Sequence, residues 1–306
     1  MAETVQKYDW TYTPLFEFER NFDDVYWIDW VDRHWFYTIP IGIVYVLSLW
    51  PLQKWMENRP PMKSRTPLII WNFFLCIFSV TAAARGVPVL LLGIYRDGFL
   101  STVCNNKYYN NQFGSIWGIF FVLSKIPELG DTYFIILRKQ KLIFLHWYHH
   151  FSVMIFCTHL YGHRCSAAFW FSVMNFAVHA VMYTYYFIRA MGYRLPKYIS
   201  MSVTTLQISQ MFMGNFIVYY VYYQKRIGTP CQSYYTDLYY GMFIYGSYMV
   251  LFAIFFFNAY LKPKSQKKVK EVNGDTSPQK VQNGSMSSNG SHYANGVHHR
   301  SIKAEM

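Results

Sequence analysis

Three histidines share one helical turn in the run His146-Trp147-Tyr148-His149-His150, at positions i, i+3 and i+4. One helix face therefore presents three imidazoles. A fourth, His179, opens the run HAVMYTYY, which puts Met182, Tyr183 and Tyr186 on the same stripe, with Asn175 one turn earlier. The run SKIPELGDT spaces Lys125, Glu128 and Asp131 three residues apart, and Pro127 between them favours a kink. TTLQISQ repeats that spacing with Thr204, Gln207 and Gln210. Imidazoles serve as nucleophiles, acid–base groups or metal ligands, and amides can donate to a developing oxyanion. His149, His179, His146 and His150 are thus the catalytic candidates. Lys125, Glu128, Asp131, Asn175, Tyr183, Gln207 and Gln210 are candidates for holding or orienting a substrate. Some have plainer readings: Gln207 and Gln210 as links between helices, Lys125 with Glu128 as a compensated pair, and Tyr183 with Tyr186 as packing.

These groups must be carried by membrane helices. The 306 residues are 53% hydrophobic, 21% aromatic and only 14% charged, against about 25% charged in soluble domains. Apolar blocks near 34–51, 68–94, 115–137, 142–160, 166–188, 200–223 and 238–261 approach the roughly 20 residues that cross a bilayer. An all-α polytopic protein of about seven transmembrane helices is expected. Residues 1–33 form a lumenal segment, 34–261 the membrane domain, and 262–306 a disordered cytosolic tail rich in Ser, Asn, Gly and Lys. The acidic first 33 residues have no apolar signal core, so the first span directs insertion. The tail's sequons at Asn283 and Asn289 read as chance.

A net charge of +12 does not point to nucleic acid, because the basic residues lie in short loops between apolar blocks. Fifteen fall on one side, including Arg138, Lys139, Lys141, Arg189, Arg194 and Lys197, against eight on the other. The positive-inside rule then makes the N-terminus lumenal and the C-terminus cytosolic. Measured at about 1.5 Å per residue from the cytosolic basic residues, His149 lies about 12 Å deep and Asp131 about 10 Å. Glu128, His179 and Gln207 lie about 15 Å deep on that scale. Four spans thus bring ionisable or amide groups to one level, which is the pattern of a functional site. Cys104, Cys165 and Cys231 fall on the oxidising side, and a Cys104–Cys231 bridge is expected, with free buried thiols the competing reading.

In KIPELGDT, HWYHH, HAVMYTYY and TLQISQ, in that order, the chain resembles the elongases of very-long-chain fatty acids over about residues 30–265. Trp147-Tyr148 within the box resembles the subgroup acting on saturated and monounsaturated chains. The resemblance implies residence in the endoplasmic reticulum and six helices forming a barrel of two inverted three-helix units, with the first helix outside. It implies a condensing enzyme that joins a long-chain acyl-CoA to malonyl-CoA, giving 3-ketoacyl-CoA, carbon dioxide and CoA. No metal or other cofactor is expected beyond these substrates. The ketoacyl-CoA reductase, dehydratase and enoyl-CoA reductase of the cycle are the implied partners, together with the bilayer, and a homodimer is an allowed assembly. Arg138, Lys139, Lys141, Arg189 and Lys197 ring the cytosolic mouth, where they can hold CoA phosphates. The chain departs from the family's frequent dilysine ending: it closes IKAEM, with Lys303 alone.

Two rivals belong to other classes. A histidine-box metal oxygenase or desaturase would need about eight histidines, and this chain offers one box plus His179 at the right depth. A seven-helix receptor fits the span count, but a polar layer opening to the cytosol is misplaced for an external ligand.

Overall fold

The computed structural model describes residues 15–108 and 112–262, so the expected tail and its sequons lie outside the described residues. All regular structure among these residues is helical. A short α1 (Glu17–Arg20) and α2 (Asp24–His34) lead through a 3₁₀ turn (Trp35–Tyr37) into α3 (Thr38–Glu57). Then come α4 (Thr66–Cys104), α5 (Gln112–Glu128), α6 (Gly130–Leu137), α7 (Phe144–Gly162), α8 (Ala168–Ala190), α9 (Lys197–Arg226) and α10 (Tyr235–Phe256), closed by a π turn (Phe257–Leu261). Three segments, 24–57, 66–104 and 235–261, are long and apolar enough to cross a membrane. The other expected spans coincide with α5 plus α6, α7, α8 and α9. Of these, α5 and α6 are short, 17 and 8 residues, while α7, α8 and α9 carry the histidines, amides and tyrosines that dilute their hydropathy.

Two backbone events shape the bundle. Gly98, with φ 76° and ψ 162°, joins two helical stretches of α4 in a conformation essentially restricted to glycine. Pro127 contributes no N–H and crowds the preceding turn, and the helix breaks at Leu129 between α5 and α6. The span expected as one kinked helix over 115–137 is interrupted at Leu129 alone, whose dihedrals stay helical at φ −56° and ψ −27°, so the interruption is the kink that Pro127 predicts.

The helices pack in a closed order: α5 on α7, α7 on α10, α10 on α9, α9 on α8, and α8 back on α5. Outside this ring α4 lies along α8, and α3 lies against α7. The interior is strongly aromatic, with Phe113, Trp117, Phe156, Phe171 and Phe176 buried. Edge-on pairs such as Phe121–Phe176, 5.3 Å apart at 79°, fill it in the preferred quadrupolar arrangement.

The part of the N-terminal segment that is described folds onto this bundle. Glu19 is fully buried and accepts from the Arg85 guanidinium, from Trp117 Nε1 at 2.7 Å and from the Phe16 amide at 2.8 Å. Arg85 sits in the middle of α4, where a cation requires a partner. At the same end Cys104 and Cys231 are disulfide-bonded, 127 residues apart in sequence, while Cys76, Cys157 and Cys165 are free. The expected bridge is present. A closed loop of that length constrains the unfolded chain by roughly 4–5 kcal/mol in the loop-entropy account. Cys104→Ser or Cys231→Ser is accordingly expected to lower the melting temperature in detergent by several degrees. Equal melting with and without reductant would contradict this.

Candidate active site

The site is built on α5, α7, α8, α9 and α10 around one cavity. Phe121, His149, Val153, Phe156, Cys157, Leu160, Phe171, Ser172, Asn175, Gln210, Met211, Ile244, Tyr245 and Tyr248 line it, with about 540 Å³ of space free of protein atoms, mouth included. Most of this lining is hydrocarbon or aromatic surface. Its polar groups are few and spaced, the pattern of a site for an apolar ligand with a reactive head.

His149 is the imidazole of the box that lines the cavity. Its ring lies 4.7 Å from the Tyr248 ring and 6.2 Å from Phe252. Tyr248 donates to Ser152 Oγ or accepts from it at 2.7 Å. This aromatic wall on α10 fixes the His149 ring and gives no sequence-periodic signal, which is why Tyr248 was not among the expected residues. His146 and His150 pack against one another at a tilt of 55° with ring centres 4.5 Å apart. His146 Nε2 and His150 Nδ1 are buried without a hydrogen-bond partner. The turn thus divides: His149 faces the cavity, and the other two pair beside it.

Behind the cavity lies a buried polar cluster. Lys125 and Glu128 are 2% and 3% exposed. The Lys125 ammonium donates to both Glu128 oxygens, at 2.8 and 3.0 Å, and to Asn175 Oδ1 at 2.9 Å. Ser124 Oγ donates to Glu128 Oε1 at 3.0 Å. An ammonium only donates, so the oxygen of Asn175 must face Lys125. The Asn175 Nδ2 therefore points to His179 Nε2, 3.1 Å away, and that nitrogen must accept. His179 consequently carries its proton on Nδ1, which lies 3.7 Å from Glu128 Oε1. One cation and one carboxylate fix the tautomer of His179 through a single amide. Asn175 touches both this cluster and the cavity, and is the joint between them.

Asp131 continues the same stripe toward the next turn of α8: Lys125 meets Asn175, Glu128 faces His179, and Asp131 accepts from the Tyr183 hydroxyl at 2.8 Å. Lys125, Glu128 and Asp131 thus face one helix, as their spacing predicts. The Asp131 carboxylate also accepts from Trp71 Nε1 of α4 at 2.7 Å. Gly130 allows this, since a Cβ there would meet the Trp71 ring at 2.4 Å. Tyr183 serves Asp131 and packs on His179 with ring centres 5.3 Å apart. Of the two glutamines, Gln210 lines the cavity, whereas Gln207 donates to Met182 Sδ at 3.2 Å.

The basic residues gather at the end of the bundle nearer the histidine box. Arg138, Lys139 and Lys141 occupy the turn between α6 and α7, Arg189 ends α8, and Lys197 begins α9. Lys139 is partly committed, donating to the Glu57 carbonyl at 3.0 Å, and Lys197 lies 5.5 Å from the Tyr260 ring. Arg138 Nη1 is buried and has no partner.

The sequence pattern of the GNS1/SUR4 family (ELO) matches residues 30–268. The very long chain fatty acid elongase 6 of Drosophila melanogaster is 42% identical over 259 residues, 84% of this chain and 82% of that protein. The mouse protein of the same name is 39% identical over 247 residues, 80% of this chain and 92% of its own length. The chain belongs to the GNS1/SUR4 family of fatty acid elongases. Human very long chain fatty acid elongase 3 is also similar, 39% identical over 239 residues, 78% of this chain and 88% of that one. As a family member the chain is a membrane protein of fatty acid elongation. The receptor and oxygenase readings fall with that assignment. The family match begins before α3 and runs past the π turn, so all the helices of this elongase that line the cavity lie inside it.

Proposed function

We propose that this elongase is a 3-ketoacyl-CoA synthase that condenses a saturated or monounsaturated long-chain acyl-CoA with malonyl-CoA through an acyl group held on His149. What supports the reading most is His149 standing on the wall of a largely apolar cavity, with Asn175 and the His179 cluster beside it. The hydrocarbon chain fits the aromatic and aliphatic lining. The Trp147-Tyr148 pair of the box favours the saturated and monounsaturated class.

In the first step a ring nitrogen of neutral His149 attacks the thioester carbon. The carbon–sulfur bond breaks, and CoA leaves with the proton from the other ring nitrogen, so a neutral acyl-imidazole remains. Malonyl-CoA then loses carbon dioxide, and its enolate carbon attacks the acyl carbonyl. The carbon–carbon bond forms, the carbon–nitrogen bond breaks, and the imidazolate takes one proton from the site. Asn175 and Gln210, both on the cavity wall, can donate to the oxyanions. His179 holds Asn175 in place and, with Nδ1–H toward Glu128, orients the cluster.

Arg138, Lys139, Lys141, Arg189 and Lys197 suit the CoA phosphates at the box end. The basic loops at that end argue for a cytosolic mouth, and the Cys104–Cys231 bridge argues that the opposite end faces an oxidising lumen. Both fit the endoplasmic reticulum membrane with a lumenal N-terminus. The closed packing order of α5, α7, α10, α9 and α8, with α4 lying along α8, supports a helical enclosure around the acyl chain.

The test is a half-reaction. Purified protein given acyl-CoA without malonyl-CoA should release one CoA per active site and retain the acyl group on a peptide containing His149. Absence of CoA release in protein that turns over with both substrates would replace this route by direct attack in a ternary complex.

A further inference from the structure

At the disulfide end, away from the cavity mouth, a second group of metal-binding side chains converges. His159 and His163 stand one turn apart on α7, and Asp237 enters from the first turn of α10. His159 Nε2 lies 3.1 Å and His163 Nδ1 2.8 Å from the same oxygen, Asp237 Oδ1. One ligand atom from each residue lies within 4.8 Å of the others. Asp237 is 2% exposed, and its second oxygen accepts the Tyr234 amide at 3.3 Å, which pins the carboxylate.

We infer that His159, His163 and Asp237 form a binding site for a divalent transition ion, zinc being the ion the donors suit best. Two imidazoles and a carboxylate are a common zinc ligand set, with bonds of about 2.0–2.2 Å. Tetrahedral bonds of that length put ligand atoms about 3.3–3.5 Å apart, so spreading the two nitrogen–oxygen separations by about 0.2–0.7 Å admits the ion. Histidines at i and i+4 present both rings on one side of a helix, the spacing that zinc helices use. Without an ion the two ring nitrogens that face Asp237 Oδ1 donate to it, so binding shifts each imidazole's proton to its other nitrogen and leaves both rings neutral.

Aromatic rings surround the group. Trp35 packs edge-on to His159 with ring centres 4.8 Å apart, Tyr240 lies 5.8 Å away, and Tyr234 lies 5.6 Å from His163. The His163 side chain is 26% exposed, which leaves an entry path and room for water as fourth ligand. A bound ion ties the end of α7 to the start of α10 next to the loop held by the Cys104–Cys231 bond, and so acts as a structural staple of the closed end.

The experiment uses untagged full-length protein in detergent, stripped with a chelator and then titrated with zinc sulfate. Expected are about one tightly held zinc per chain and a tetrahedral spectrum on cobalt substitution. A rise in melting temperature with zinc should accompany them. His163→Gln and Asp237→Asn should each weaken zinc binding at least about tenfold and abolish the zinc-dependent thermal shift. His146→Gln and the double change His298→Gln/His299→Gln should leave zinc content unaltered. Asp237→Asn keeps an oxygen for the Tyr234 amide, so it reports even where His163→Gln folds poorly. No stoichiometric zinc in the wild type, or zinc retained in both site variants, overturns the assignment.

Discussion

Replacing His149 by alanine is expected to lower condensation by at least about 10⁴-fold, the order of loss when a covalent nucleophile is removed from its site. CoA release in the absence of malonyl-CoA should vanish with it. The cavity that receives the chain is formed by residues such as Phe156, Phe171 and Ile244, which the substitution leaves in place. Acyl-CoA affinity should therefore change by only a few-fold while turnover collapses, the signature of an interaction made in the reaction rather than in binding. Cys157 supplies the informative contrast. It lines the same cavity two helical turns deeper than His149, about 12 Å along α7. Cys157→Ser should still release CoA from acyl-CoA. If that variant lost the half-reaction while His149→Ala retained it, the nucleophile would be the thiol. Steady-state kinetics and acyl-peptide mass spectrometry on the two variants distinguish these outcomes.

What was legible in the sequence were features set by helical period. The turn of three histidines, the Lys125–Glu128 spacing and the step from Asn175 to His179 each lie within one helix, so spacing alone places them on a face. Their common depth follows from the bilayer, which holds every span to one scale. Pairings between distant segments left no such trace. Glu19 meets Arg85 and Trp117, Asp131 meets Trp71 from 60 residues away, and Asp237 meets two histidines of α7. Arg85 within an apolar block was a readable demand for a partner, though not for which one. Pro127 was legible as a kink, and because Leu129 keeps helical dihedrals, Asp131 follows Lys125 and Glu128 onto α8. Its partners there and on α4, Tyr183 and Trp71, were not legible.

A large expected effect on stability comes from splitting the pair at the centre of the bundle. Lys125→Met leaves the Glu128 carboxylate buried at 3% exposure with no cation beside it, and also frees Asn175 Oδ1. Removing one partner of a buried ion pair typically costs about 3–5 kcal/mol, which in a protein of this size is a fall on the order of 10 °C in melting temperature. The double change Lys125→Met/Glu128→Leu removes both charges and their desolvation together, so most of that loss should return, as apolar replacements of buried pairs often do. Activity should not return with it. The tautomer of His179 is set by the chain from Lys125 through Asn175 to Nε2, and Nδ1 loses Glu128 as its neighbour. Without the cation the Asn175 amide is free to flip, and His179 is free to take either tautomer. A melting curve and an elongation rate measured on the same three proteins therefore separate scaffold from chemistry. A double variant restored in both would make the pair a structural staple alone. One restored in neither would mean that the cluster's shape, and not its charge, holds α5 against α8.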